Sequence, residues 1–161
     1  MGHRFGSTSF LVLIAFCLFA LPSSSRADPP GRVGRIGHVE GQVWWSQKYD
    51  APAEDARRNW PVTSDNVIAT GDGRAEIRIG STSIALDRDS EIEFIRLDDE
   101  RMHMRLLQGR LALRLLSREA ARELELSTPF GRVRTLEAGR YRIEVDRNGE
   151  RGSLTVFEGS A

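Results

Sequence analysis

The sequence predicts an all-β protein, a solenoid-like stack of short strands preceded by a signal peptide; a β-sandwich or jelly roll is the alternative arrangement of the same strands. Three observations carry that expectation. Apolar and charged residues alternate with a period of two in segments such as Ala75-Glu76-Ile77-Arg78-Ile79, the pattern of a half-buried strand. Turn-forming residues recur at short spacing between those segments. The one membrane-like apolar run lies at the N-terminus and gives way to small and polar residues before Ala27.

That leader begins with His3 and Arg4, continues through apolar Phe10 to Leu21, and ends in Ser25-Arg26-Ala27. A weakly basic head, an apolar centre and small residues at −3 and −1 are the order of a Sec signal peptide, with cleavage expected after Ala27. The run is shorter than the ~20 apolar residues a spanning helix needs, so residues 28–161 carry no expected membrane span; an uncleaved anchor is the rival reading. Bulky Phe16 precedes Cys17, which argues against lipid attachment there. Cys17 is the only cysteine, so the exported chain has no disulfide, zinc-thiolate or thiol-nucleophile chemistry. Loss of Arg4 and Arg26 leaves 21 basic residues against 23 acidic ones, a formal charge of −2. A near-neutral domain has no general attraction to nucleic acid, and none is expected as a partner.

Residues 28–32 open with Asp28-Pro29-Pro30-Gly31 and read as a linker, because paired prolines and glycine resist both helix and central strand. Strands follow at Ala75–Ile79, Leu111–Leu115, Glu123–Leu126 and Tyr141–Val145. Ile84, Leu86, Ile92 and Phe94 keep one parity before Ile95 and Leu97 take the other, a switch that predicts a bulge or a strand end. Turns are expected at Thr70–Gly73, Asp98–Glu100, Gln108-Gly109, Ala138-Gly139 and Asn148-Gly149, where Asp-Gly and Asn-Gly suit tight hairpins. Ala51–Asn59 lacks β-branched residues and is the expected helical patch; Ser117–Arg122 is a candidate single turn between two strands.

Seven segments follow one another in a set order: Gly37-His38-Val39-Glu40-Gly41-Gln42-Val43, then Trp60-Pro61-Val62, then Asn66 to Arg78 with Thr70-Gly71-Asp72-Gly73 at its centre. Ser81–Leu86 with Ser90, Leu107–Leu111, Leu126–Gly131 and Val156-Phe157-Glu158-Gly159 complete the set. In that order they resemble segments of the FecR family's periplasmic domain. The resemblance implies a FecR-like all-β domain over residues 33–161 that works by protein–protein contact in the envelope, without catalysis and without a cofactor. FecR-type regulators carry a cytoplasmic anti-sigma segment before a membrane helix, whereas only residues 1–9 precede the apolar run here. Asp65-Asn66 stands where the family usually has Gly-Asp, and Ala138-Gly139-Arg140-Tyr141 where it has Gly-Thr-x-Phe. The chain ends at Ala161, where the family pattern starts another strand, so a C-terminally truncated domain is expected.

No catalytic set emerges from the residues, and an enzyme is not expected. Gly31, Gly34 and Gly37 lack the strand–helix context of a phosphate loop, and there is no G-x-S-x-G. In Met102-His103-Met104 neighbouring side chains on a strand point to opposite faces; the methionines are expected in the core, with His103 facing solvent and no metal bound. Asp87, Asp89, Glu91 and Glu93 share one parity, but Ile92 occupies the position where a calcium loop needs glycine. A face charge-paired with Arg74 or Arg78 is the expected role.

The strongest binding candidates are aromatic. Trp44 and Trp45 are adjacent, with Tyr49 and Trp60 close in sequence. They suit either a patch that anchors a protein partner or a plug for the end of the core. The second candidate is an open edge strand around Leu154, Val156 and Phe157, a template for strand addition. The expected protein is a periplasmic or secreted module that binds another envelope protein in signalling or assembly. The alternatives are a module that binds cell wall or polysaccharide through the same aromatics, with glycan as ligand, and a scaffold fragment of a longer protein.

Overall fold

The computed structural model describes residues 31–161. The expected signal peptide, its expected cleavage site at Ala27 and most of the expected 28–32 linker lie outside the described residues. From Gly34 onward the chain is all-β. Thirteen strands form one curled sheet: β1 Gly34–Glu40, β2 Val43–Ser46, β3 Ala53–Asp55, β4 Pro61–Val62, β5 Val67–Thr70, β6 Arg74–Ile79, β7 Thr82–Leu86, β8 Glu91–Leu97, β9 Met102–Leu115, β10 Leu124–Thr128, β11 Gly131–Val133, β12 Gly139–Val145 and β13 Gly152–Glu158. A short helix, α1 Arg118–Glu123, joins β9 to β10.

The sheet runs β3-β2-β5-β8-β9-β7-β6-β1-β4, and β9 joins its two halves. The first half of β9 pairs antiparallel with β8 and parallel with β10; the second half pairs antiparallel with β7 and β12. Of the other connections between the halves, three are bonded into the same corner as the middle of β9: β1 to β2 over Gly41-Gln42, β5 to β6 over Gly71–Gly73, and β7 to β8 over Asp87–Ser90. Folded over these crossings, the halves face each other across one core. Ile36, Ile77, Ile84, Leu113, Tyr141 and Ile143 come from one side; Ile68, Ile92, Phe94, Met104, Leu106 and Leu126 come from the other. Period-two alternation therefore produces a layered interior, because every second side chain of each strand is withdrawn from water.

The crossings are hydrogen-bonded to one another as a rib. The Gly71 amide donates to the Gln42 carbonyl (3.0 Å) and the Asp89 amide to the Gly71 carbonyl (2.8 Å). Buried Thr70 Oγ1 donates to the Asp87 carbonyl (2.6 Å) and accepts from the Ser90 amide (2.9 Å), while Ser90 Oγ accepts from the Arg110 amide (2.9 Å). Gly73 is required here because a Cβ would meet the Gln42 backbone at 2.5 and 2.6 Å. Thr70–Gly73 and Gln108-Gly109, expected as turns, are thus corners at which the chain bends from one half into the other. Asn148-Gly149 does turn a hairpin, between β12 and β13, with the Gly149 amide donating to the Asp146 carbonyl (3.1 Å).

The expected strands at Ala75–Ile79, Leu111–Leu115 and Tyr141–Val145 fall within β6, β9 and β12, and the Glu123–Leu126 segment within α1 and β10. The parity switch in β8 is a register shift between Glu93 and Arg96. Met102, Met104 and Leu106 are fully buried. Ser117–Arg122 is the expected helical turn: the Ser117 hydroxyl caps it by accepting from the Ala120 amide at 3.1 Å. Ala51–Asn59 is not helical. Its backbone bonds to the sheet instead: Ala53–Asp55 pairs with β2, the Ala56 amide donates to Val43 (2.9 Å), and the Asn59 amide donates to Ile36 (2.7 Å). Weak local helix preference loses to sheet partners when a segment has one buried apolar residue, here Ala56, to hold a helix down.

Candidate functional site

The four aromatic candidates part company in the structure. Trp45 lies opposite Ile68, which lies opposite Ile92, so its indole extends an inner row of the sheet. Trp60 meets it edge-on, with centroids 5.5 Å apart and planes at 84°. Both pack against the core, and the Arg57 guanidinium sits 5.7 Å from the Trp60 centroid. Trp44 occupies the other face of β2, half-buried over Gly71, where a Cβ would lie 3.0 Å from its ring. Tyr49 is exposed in the connection from β2 to β3. Among the described residues no aromatic stacking joins Tyr49 to the tryptophans.

Among the described residues β13 pairs with β12 alone, and all seven of its residues are exposed. Leu154 and Val156 stand opposite the buried Ile143 and Tyr141, so their apolar side chains lie on the core side of the sheet. Phe157 lies on the outer side, 5.2 Å from the Arg142 guanidinium. The other edges are guarded. β3 carries Glu54-Asp55, β4 is two residues beginning with Pro61, and β11 is three residues with Arg132 at its centre. β13 has neither charge nor proline before Glu158, and charges, proline and shortness are the devices that block strand addition.

The carboxylates at 87, 89, 91 and 93 do not converge on one site. Asp87 accepts from Arg74 Nε (2.9 Å) and Arg110 Nη1 (2.8 Å), Asp89 pairs with Arg147 (2.7 Å), and Glu93 pairs with Arg105 (3.3 Å). Arg78 pairs with Glu76 (3.0 Å) rather than with this row. Arg110 also holds Glu144 at 2.8 Å, which gives a chain of charges along the rib beside a polar basin of about 700 Å³. Sequence reasoning missed this cluster because Asp87, Arg110 and Glu144 meet only through strand pairing. His103 is half-buried rather than solvent-facing, with Nε2 2.9 Å from Ser127 Oγ on the parallel strand β10.

The hydrogen bond from Arg74, supported by the Arg88 amide and Arg110, lowers the Asp87 carboxyl from 3.8 to about 2. A depressed folded-state value stabilises the protein above the unfolded value, and that contribution is lost as pH falls through the folded one. Asp87→Asn is therefore expected to lower the melting temperature at pH 6, with the gap to the parent chain closing between pH 4 and pH 2. A gap independent of pH in thermal melts would remove the ion pairs as its cause.

A family model described as FecR protein matches residues 66–161, from the start of β5 through β13. The chain belongs to the FecR family. The opening Gly37–Val43 and Trp60–Val62 segments that resemble the family lie ahead of the matched span. No curated protein and no solved structure matches the chain. FecR proteins are envelope signalling regulators, a family not known for catalysis, and the FecR domain is typically periplasmic. No helix among the described residues is long and apolar enough to cross a membrane. The matched span includes β13, the unguarded edge, and excludes β2 and β3 with Trp44, Trp45 and Tyr49.

Proposed function

We propose that this FecR-family protein is a non-catalytic docking module, exported by its signal peptide to the periplasm or medium, that binds another envelope protein in signalling or assembly. The observation that carries the reading is β13, seven exposed residues with one edge unpaired among the described residues and no guarding charge or proline before Glu158. A partner strand laid along that edge completes the backbone hydrogen bonds of β13, and its apolar side chains cover Leu154 and Val156, which are 40% and 42% exposed. Such an added strand continues the ordered succession of strands, in the manner of one more layer on a solenoid-like stack. Trp44, half-buried on the outer face of β2, and exposed Tyr49 are separate contact points rather than one patch.

Val156→Lys places a guarding charge on the edge at an exposed position. Partner capture from envelope extract is expected to fall at least tenfold while the melting temperature stays within a few degrees of the parent. Undiminished capture by Val156→Lys and by Thr155→Pro would show that the partner docks elsewhere.

A further inference from the structure

We propose a second binding site, independent of the β13 edge, on the outer face of β7, β9 and β12, which takes the carboxylate of an acidic sugar in an anionic glycan. The inference begins with the cross-strand register. Arg114 of β9 stands directly opposite Arg140 of β12, and on the next row Arg142 stands opposite Ala112, which stands opposite Ala85. Like charges placed directly opposite one another destabilise a sheet. The alanines are exposed, and their short side chains leave a hollow of about 350 Å³ with an apolar floor, walled by Arg114, Arg140, Arg142 and Phe157.

The pattern of ion pairing singles this hollow out. Six arginines project from this face on β6, the second half of β9, and β12. Four have carboxylate partners: Arg74 with Asp87 at 2.9 Å, Arg78 with Glu76 at 3.0 Å, Arg110 with Asp87 at 2.8 Å, and Arg140 with Glu158 at 3.2 Å. Arg114 and Arg142, which flank the alanine floor, have none among the described residues. Arg142 instead rests over the Phe157 ring. Two guanidinium forks without acids, set around an apolar floor of methyl groups, match a ligand with one planar anion and an apolar face. A uronic acid has both, since its ring presents C–H groups on one side and its carboxylate at the rim. The hollow lies on the open face of the sheet and crosses three strands, so an extended acidic peptide gains no backbone pairing there, which favours the sugar.

The test is calorimetric titration of the full chain with a short oligogalacturonate, at about 0.15 M salt so that diffuse attraction is screened. Binding is expected to weaken at least tenfold in the Arg114→Gln/Arg142→Gln double variant and in Ala112→Leu, which fills the hollow from an exposed position. It should change less than twofold in Arg78→Gln, which removes an arginine that already has its acid. A neutral oligosaccharide of equal length should give no heat. Absence of galacturonate binding, equal binding by all variants, or tighter binding of polyglutamate than of galacturonate would each overturn the proposal; the last would make the ligand an acidic peptide. Val156→Lys should retain galacturonate binding, so failure here and failure of strand docking at β13 are read separately.

Discussion

Gly109→Ala is expected to lower stability by about 3 kcal/mol or more, seen as a large drop in denaturant midpoint or as failure to fold. Gly109 sits at φ +90°, in the middle of the longest strand, where β9 passes from one half of the sheet to the other. A Cβ there would collide with Ser90 Oγ and Cα and would come within 2.6 Å of the Asp89 carbonyl oxygen. These atoms belong to the rib, since Ser90 Oγ accepts from the Arg110 amide and shares its single proton between the Arg88 and Arg110 carbonyls. Relief would require pulling apart the β7–β8 and β9 crossings together. Gly80 provides the control, because it also has positive φ, +55°, but a Cβ there meets nothing within 4 Å. Gly80→Ala should cost only about 1 kcal/mol, the backbone term without the collision. Equal losses from the two substitutions would mean that the corner at Gly109 has room the structure does not show.

Gly109 also marks where sequence reading stops. Alternation is a local signal, and it placed β6 at Ala75–Ile79, the buried Met102/Met104 pair and the β8 bulge, since each depends on which side chains face one core. Gly-containing dipeptides signal a change of chain direction without saying whether the chain reverses or merely bends. Asn148-Gly149 reverses it; Gln108-Gly109 bends it and lets β9 run on to Leu115. The same limit hid the corner charges, because Asp87 meets Arg110 and Arg110 meets Glu144 only after β7, β9 and β12 are aligned. Leu154, Val156 and Phe157 do fall on one strand, β13, which pairs with β12 among the described residues, because an uncharged run of strand-forming residues is itself a local signal. Of the aromatics, the sequence pattern required Trp44 and Trp45 to face opposite ways without indicating which one entered the core.

Trp45→Ala is expected to destabilise the protein by about 3 kcal/mol, and Trp44→Ala by about 1 kcal/mol or less, in equilibrium unfolding. The difference follows from their faces. Trp45 continues the Ile92–Ile68 row and packs edge-on against Trp60, so truncation opens a cavity at the end of the core and strands the Trp60 ring beside it. Trp44 lies on the outer face over Gly71, where water fills the space its ring vacates. Trp45 Nε1 is buried with no hydrogen-bond partner among the described residues, and an orphaned donor offsets part of what the ring contributes. Trp45→Phe removes that donor while keeping an aromatic ring against Trp60, so it should fall within about 1 kcal/mol of the parent. This series separates stability from docking: a loss of partner capture in Trp45→Ala has no bearing on the interface unless Trp45→Phe shares it. The same loss in Trp44→Ala, at unchanged stability, would place a contact on the outer face of β2.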